Sequence, residues 1–153
     1  MKDAGFSAVL KSAKLIARKN PDKPDAILRR VRFELVLPFG ELEAEWLGDA
    51  AQQQFDMMVG RAIKRCVIPI DAYHAKTELS GVGNAEILDC EGVQATAAVK
   101  GKDDKEHEEL TLVFEAFPDA KLVTFLAASL GCEIACSFKA LQLENQCLTS
   151  TTS

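Results

Sequence analysis

Two histidines are the first side chains to weigh as chemistry, because imidazole is the group whose ordinary pKa lies nearest neutral pH. His74 stands three residues after Asp71 in Asp71-Ala72-Tyr73-His74. Such a pair would make a general base with a carboxylate to orient it. Residues at that spacing after a strand need not converge, and no nucleophile or third metal ligand is marked nearby, so an exposed or structural histidine is the reading adopted. His107 lies among Asp103, Asp104, Glu106, Glu108 and Glu109. These carboxylates could draw a divalent cation, but the spacing and glycine of an EF-hand loop are missing, and a solvated hairpin turn is the better reading. The five cysteines, Cys66, Cys90, Cys132, Cys136 and Cys147, form no C-x-x-C pair. An odd count without that pair predicts neither a disulfide framework nor a zinc knuckle. Cys132 and Cys136 on one strand would stand about 13 Å apart, too far to bridge. The expectation is a chain with no catalytic residues, no metal and no small-molecule cofactor.

Two further segments invite an anion. Leu79-Ser80-Gly81-Val82-Gly83-Asn84 contains G-x-G, but the third glycine, or the Lys-Ser/Thr pair, of a phosphate loop is absent. Leu79, Gly81, Val82 and Gly83 resemble the L-x-G-[IV]-G hairpin of helix-hairpin-helix DNA-binding modules, which offers backbone N–H groups to a phosphate. The flanks depart from that pattern, since Asp89-Cys90-Glu91-Gly92 would end a following helix almost at once. We read an inter-unit loop, with glycines supplying unusual φ. The stronger anion candidates are Arg29, Arg30 and Arg32 with Lys11, Lys14, Arg18 and Lys19. On a strand, Arg30 and Arg32 share a face roughly 6–7 Å apart, close to the phosphate spacing of a single strand. Glu34 continues that face, and one Trp and one Tyr supply few platforms for stacked bases. Nucleic-acid binding is therefore the second reading.

The elements that must position these residues follow from periodicity. In residues 29–39, Val31, Phe33, Leu35, Leu37 and Phe39 alternate with polar or edge positions, which predicts a half-buried strand stopped near Pro38. Residues 6–19 fit either a helix or a strand, and the strand is preferred because the turn-rich Asn20-Pro21-Asp22-Lys23-Pro24-Asp25 then makes a hairpin. Residues 41–61 change period: Leu42, Trp46, Leu47, Ala50, Ala51, Phe55, Met58 and Val59 recur at helical steps. Gly48-Asp49 predicts a break there, with Asp49 as an N-cap. Residues 66–73 predict a short strand with a free edge at Pro69, and 76–84 a polar bridge.

A similar order then returns. Residues 85–101 predict β structure with a bulge or bend at Gly92, and 102–107 a charged turn. Residues 109–117 predict a strand with Leu110, Leu112, Phe114 and Ala116 on one face. Asp119 caps a helix carrying Leu122, Phe125, Leu126 and Leu130, and Gly131 ends it. Residues 133–141 give the last strand, with Ile134, Cys136, Phe138 and Ala140 inward. The prediction is an α+β fold, two ββαβ-like units packed as a pseudo-twofold, mainly antiparallel β-sheet domain with two helical regions. It places one domain over residues 1–146, with units at about 6–75 and 84–144, and a frayed tail over 147–153.

A hairpin with a charged turn, then a helix, then a strand running into the Gln/Leu-rich EIACSFKALQLENQ of residues 133–146 resembles small proteins encoded in bacteriophage and prophage genomes. That resemblance implies an accessory factor in phage DNA metabolism, a counter-defence protein or a minor structural part.

Of 153 residues, 48% are hydrophobic and 27% charged, and the net charge is −5, the composition of an ordinary globular protein and not of a disordered or collagen-like chain. No run reaches the ~20 apolar residues of a membrane span, and the first residues lack the h-region of a secretory signal, so the expected location is cytoplasmic. Charge is unevenly spread. Residues 1–32 hold nine Lys/Arg against three acids, and residues 33–60 hold six acids and no base. Surface potential depends on where charges sit, so such a molecule attracts a polyanion with one face, or its own copy head to tail. The first reading is a non-enzymatic protein that binds a protein partner or itself as a homodimer, through the acidic surface of Glu41, Glu43, Glu45 and Asp49. The second is a nucleic-acid accessory factor using Lys11, Lys14, Arg18, Arg29, Arg30 and Arg32.

Overall fold

A computed structural model describes residues 4–69, 74–80 and 85–140. It bears out an α+β architecture built on a mainly antiparallel sheet with two helical regions. Strands β1 (Ala4–Lys19) and β2 (Ile27–Pro38) form the first hairpin, followed by helices α1 (Glu41–Leu47) and α2 (Asp49–Val59). Next come β3 (Arg65–Ile68), β4 (His74–Ser80), β5 (Ala85–Lys100) and β6 (His107–Ala116), and finally α3 (Ala120–Ser129) and β7 (Glu133–Ala140). The hydrogen-bonded order is β3-β5-β4-β7-β1-β2-β6, and β6 pairs in turn with β5. Six strands thus return on themselves, and β3 lies beside the far half of β5.

Both halves contribute to this one sheet. The third strand of each half pairs with the hairpin of the other: β3 and β4 with β5, and β7 with β1. The halves join directly at β2–β6, where Phe33 sits opposite Phe114 and their rings stack at 5.7 Å. What recurs between the halves is element order. A pseudo-twofold relating them remains an expectation.

Alternation fixes the core. Val31, Phe33, Leu35, Leu37 and Phe39 are buried on β2 and its end, against Leu110, Leu112, Phe114 and Ala116 of β6. In β1 the register slips between Leu10 and Ser12, a bulge at Lys11. One extra residue inverts the alternation, so Ala8 and Leu10 point inward before it and Ala13 packs on the core after it. A second bulge falls between Gly92 and Gln94 in β5, as expected at Gly92.

Three details correct the sequence reading. Gly48 itself caps both helices, and Asp49 is the first residue of α2, because a φ of +117° at that junction suits glycine. The polar bridge expected at 76–84 begins as strand β4, whose ladders to β5 and β7 supply the pairing that its residue pattern does not advertise. The short strand expected at 66–73 ends at Ile68, and β3 and β4 follow one another along the same side of β5. Its outer edge is guarded where Gln54 Nε2 donates to the Val67 carbonyl at 3.0 Å.

The helices close the sheet's openings. Trp46 of α1 stacks on Phe6 at 5.4 Å, Phe55 of α2 meets Phe39 edge-on at 5.3 Å, and Met58 lies 3.9 Å from the Cys66 sulfur. No described helix is long and apolar enough to cross a membrane.

Candidate interaction surface

The first hairpin outruns the sheet. β2 pairs with β6 only from Val31 onward, and β1 pairs with β7 only through Val9. Among the described residues, the rungs from Ile16 opposite Arg30 to Lys19 opposite Ile27 have no third strand beside them. The turn is closed by Asn20 N–H donating to the Ala26 carbonyl at 3.1 Å, so a two-stranded ribbon projects from the sheet.

Helix α3 lies against the root of this ribbon. Asp119 precedes it as the N-cap residue, its carbonyl accepting from Val123 N–H at 2.9 Å, though its side chain makes no capping bond. Gly131, with φ +81°, turns the chain back, and its N–H donates to the Leu10 carbonyl at 2.8 Å. Leu122, Phe125 and Leu126 of α3 are buried, and Val123, Ala127 and the following Leu130 flank Leu126. The apolar stripe of the helix is wider than its buried part and leaves surface to cover.

Between the two elements runs a groove. Its lower part, about 190 Å³, is lined by Ala13 and Leu15 of β1 and Val31 of β2 at the ribbon's root, by Val123, Leu126 and Ala127 of α3, and by Leu130 just after that helix. An adjoining part of about 440 Å³ continues from Leu15 and Val123 to Ala17, Pro118 and Ala120. Leu15 is 65% exposed and Leu130 52%. The charged lining residues are Lys14 in one part and Arg29 in the other, with no carboxylate in either.

The candidate cations divide between two roles. Arg32 Nη2 and Arg18 Nη2 reach the two carboxylate oxygens of Glu115 at 2.6 and 2.7 Å. The Glu115 side chain is 1% exposed, although alternation alone would send it outward. Those two arginines are structural partners first. Arg30 donates to the neighbouring Arg29 carbonyl at 3.0 Å, while Lys11, Lys14 and Arg29 are exposed. Lys11 also lines a depression of about 480 Å³ on the outer sheet face, with Arg65, Lys100, Glu34 and Glu109. Its charges are mixed, and Glu34 is held there by the Ser12 hydroxyl at 2.8 Å.

The acidic candidates lie at the other end of β2. Glu43 accepts from Gly40 N–H at 2.8 Å, the glutamate half of a capping box, whereas Glu41, Glu45 and Asp49 are exposed. Beside them Leu42, Met57 and Val59 are exposed apolar residues.

Asp71 and residues 81–84 lie outside the described residues, as does the tail at 147–153, and of His74 only the backbone is described. His107, expected in the charged turn, opens β6, with its Nδ1 3.1 Å from the Lys105 carbonyl and its Nε2 3.7 Å from Glu109. Among the described residues no group of three His, Cys, Asp or Glu could hold a metal. Burial pushes the Cys66 thiol above its ordinary pKa, with a backbone hydrogen bond from Ala97 opposing, so it is a poor nucleophile.

The sequence reading missed the groove and Glu115. The groove's signal was an apolar stripe on α3 wider than one buried face needs, and Glu115 became visible only once β2 was known to pair with β6. No protein family, curated protein or solved structure matches the chain.

Proposed function

We propose that the chain is a non-enzymatic interaction protein that binds another polypeptide, foreign or its own, in the groove between α3 and the β1–β2 ribbon. The observation that carries this reading is a continuous apolar trough with exposed Leu15 and Leu130, bordered by Lys14 and Arg29 and free of carboxylates. Apolar area supplies affinity to such a contact, and the cations select a partner with acidic flanks. The resemblance to phage-encoded accessory proteins agrees with this, in an accessory or counter-defence role.

Nucleic acid is the competing occupant, and the engagement of Arg18 and Arg32 by Glu115 weakens it. A photo-crosslinking amino acid in place of Leu15, with one in place of Gln53 as control, tests the reading in cells that express the chain. Discrete polypeptide adducts at position 15 and none at 53 are the expected result. Nucleic-acid adducts at 15, or low-salt mobility shifts of DNA or RNA oligonucleotides abolished by Arg30→Glu, would replace it with the second reading.

A further inference from the structure

The ribbon and the α1–α2 pair sit at opposite ends of one strand. β2 runs from Ile27 in the ribbon to Pro38, three residues before α1, a span of about 36 Å at the strand rise. At the first end, residues 13–32 carry seven Lys/Arg against Asp22 and Asp25. At the second, residues 41–60 carry five acids and no base. The two charge blocks are therefore too far apart to neutralise each other within one molecule, because exposed charges are screened beyond ~10 Å.

Each end also leaves apolar surface in the open. The groove offers Leu15 and Leu130, and the first helix offers Leu42 between Glu41 and Glu45, with Asp49 and Asp56 exposed on the second. Cationic border and apolar floor at one end match an exposed leucine set among acids at the other. We infer that the occupant of the groove is the α1–α2 surface of a second copy, so that the chains associate head to tail. This deepens the reading above and rests on it. A helical ridge seated in an apolar groove is a common recognition mode, and the charge pattern sets its direction. The two patches differ, so the contact is heterologous, and it repeats into a ring or a filament instead of stopping at a twofold dimer.

Two variants with opposite lesions test this. One carries Lys14→Glu, Leu15→Glu and Arg29→Glu, and the other Glu41→Lys, Glu45→Lys and Asp49→Lys. All six positions are exposed, so both chains should retain the wild-type circular dichroism spectrum. In sedimentation velocity the wild type should grow beyond a dimer with rising concentration, and growth should weaken as salt is added. Each variant alone should stay monomeric at about tenfold higher concentration. Their equimolar mixture should stop at a one-to-one dimer, since it holds one intact groove and one intact ridge per pair. Assembly lost with the groove lesion but kept with the helix lesion would overturn the inference in favour of a groove-to-groove dimer. A wild type monomeric up to about 1 mM would overturn it outright. Foreign polypeptide adducts at position 15 together with that monomer would leave the groove reading standing, so the two failures are distinguishable.

Discussion

Glu115 is a carboxylate in a place where water cannot reach it, and two guanidiniums reach it instead. Burying an unpaired charge costs several kcal/mol, whereas Arg18 and Arg32 keep 47% and 34% of their own side-chain exposure. The consequences of removing the two sides are therefore unequal. Replacing both arginines by alanine should destabilise the fold by about 2–4 kcal/mol, because it strands the carboxylate. Glu115→Leu alone should cost less than about 1 kcal/mol, since the freed arginines hydrate, and adding it to the double alanine chain should recover most of the loss. Urea unfolding midpoints measure all three, and an equal loss with and without the leucine would contradict the argument. The alternation of β2 told which arginines share a face. It did not tell that Arg32, joined there by Arg18 of β1, points at an acid on β6, because that partner is 83 and 97 residues away from them in sequence.

At the scale of the element, legibility followed the strength of the local pattern. β2, the two-part helical region and the strand from 109 were readable because buried residues there keep a strict period, while β1, whose bulge breaks its alternation, was read from the turn that follows it. β4, with the sequence HAKTELS, was not, since its strand conformation comes from neighbours on both sides. Glycines marked the turns, and their roles differ. Gly101 and Gly131 both have φ in the left-handed region, at +89° and +81°. A Cβ on Gly101 would overlap the Lys105 carbonyl oxygen, while one on Gly131 meets open space. Gly131→Ala should thus cost only the conformational penalty of about 1–2 kcal/mol, and Gly101→Ala distinctly more, as a lower thermal midpoint would report. Equal midpoints for the two variants would show that the turn at 101 relaxes freely.

For the molecule as a whole, the pairings predict a gradient of protection. The amides of Phe33, Leu35, Leu112 and Phe114 lie in strands flanked on both sides and buried, so they should exchange with deuterium slowest. Those of Ile16 to Lys19 and of Ile27 to Arg30, with one partner strand, should exchange at least about tenfold faster. Uniform protection along β2 would mean that the ribbon is covered in solution. That same ribbon is made of strands that run unbroken into the sheet, β1 over 16 residues and β2 over 12. Tension applied at its tip is consequently transmitted along the strands and loads their cross-links in shear, all together, instead of peeling them one at a time. Whatever grips the tip pulls on the centre of the protein, and the attachment is built to resist traction.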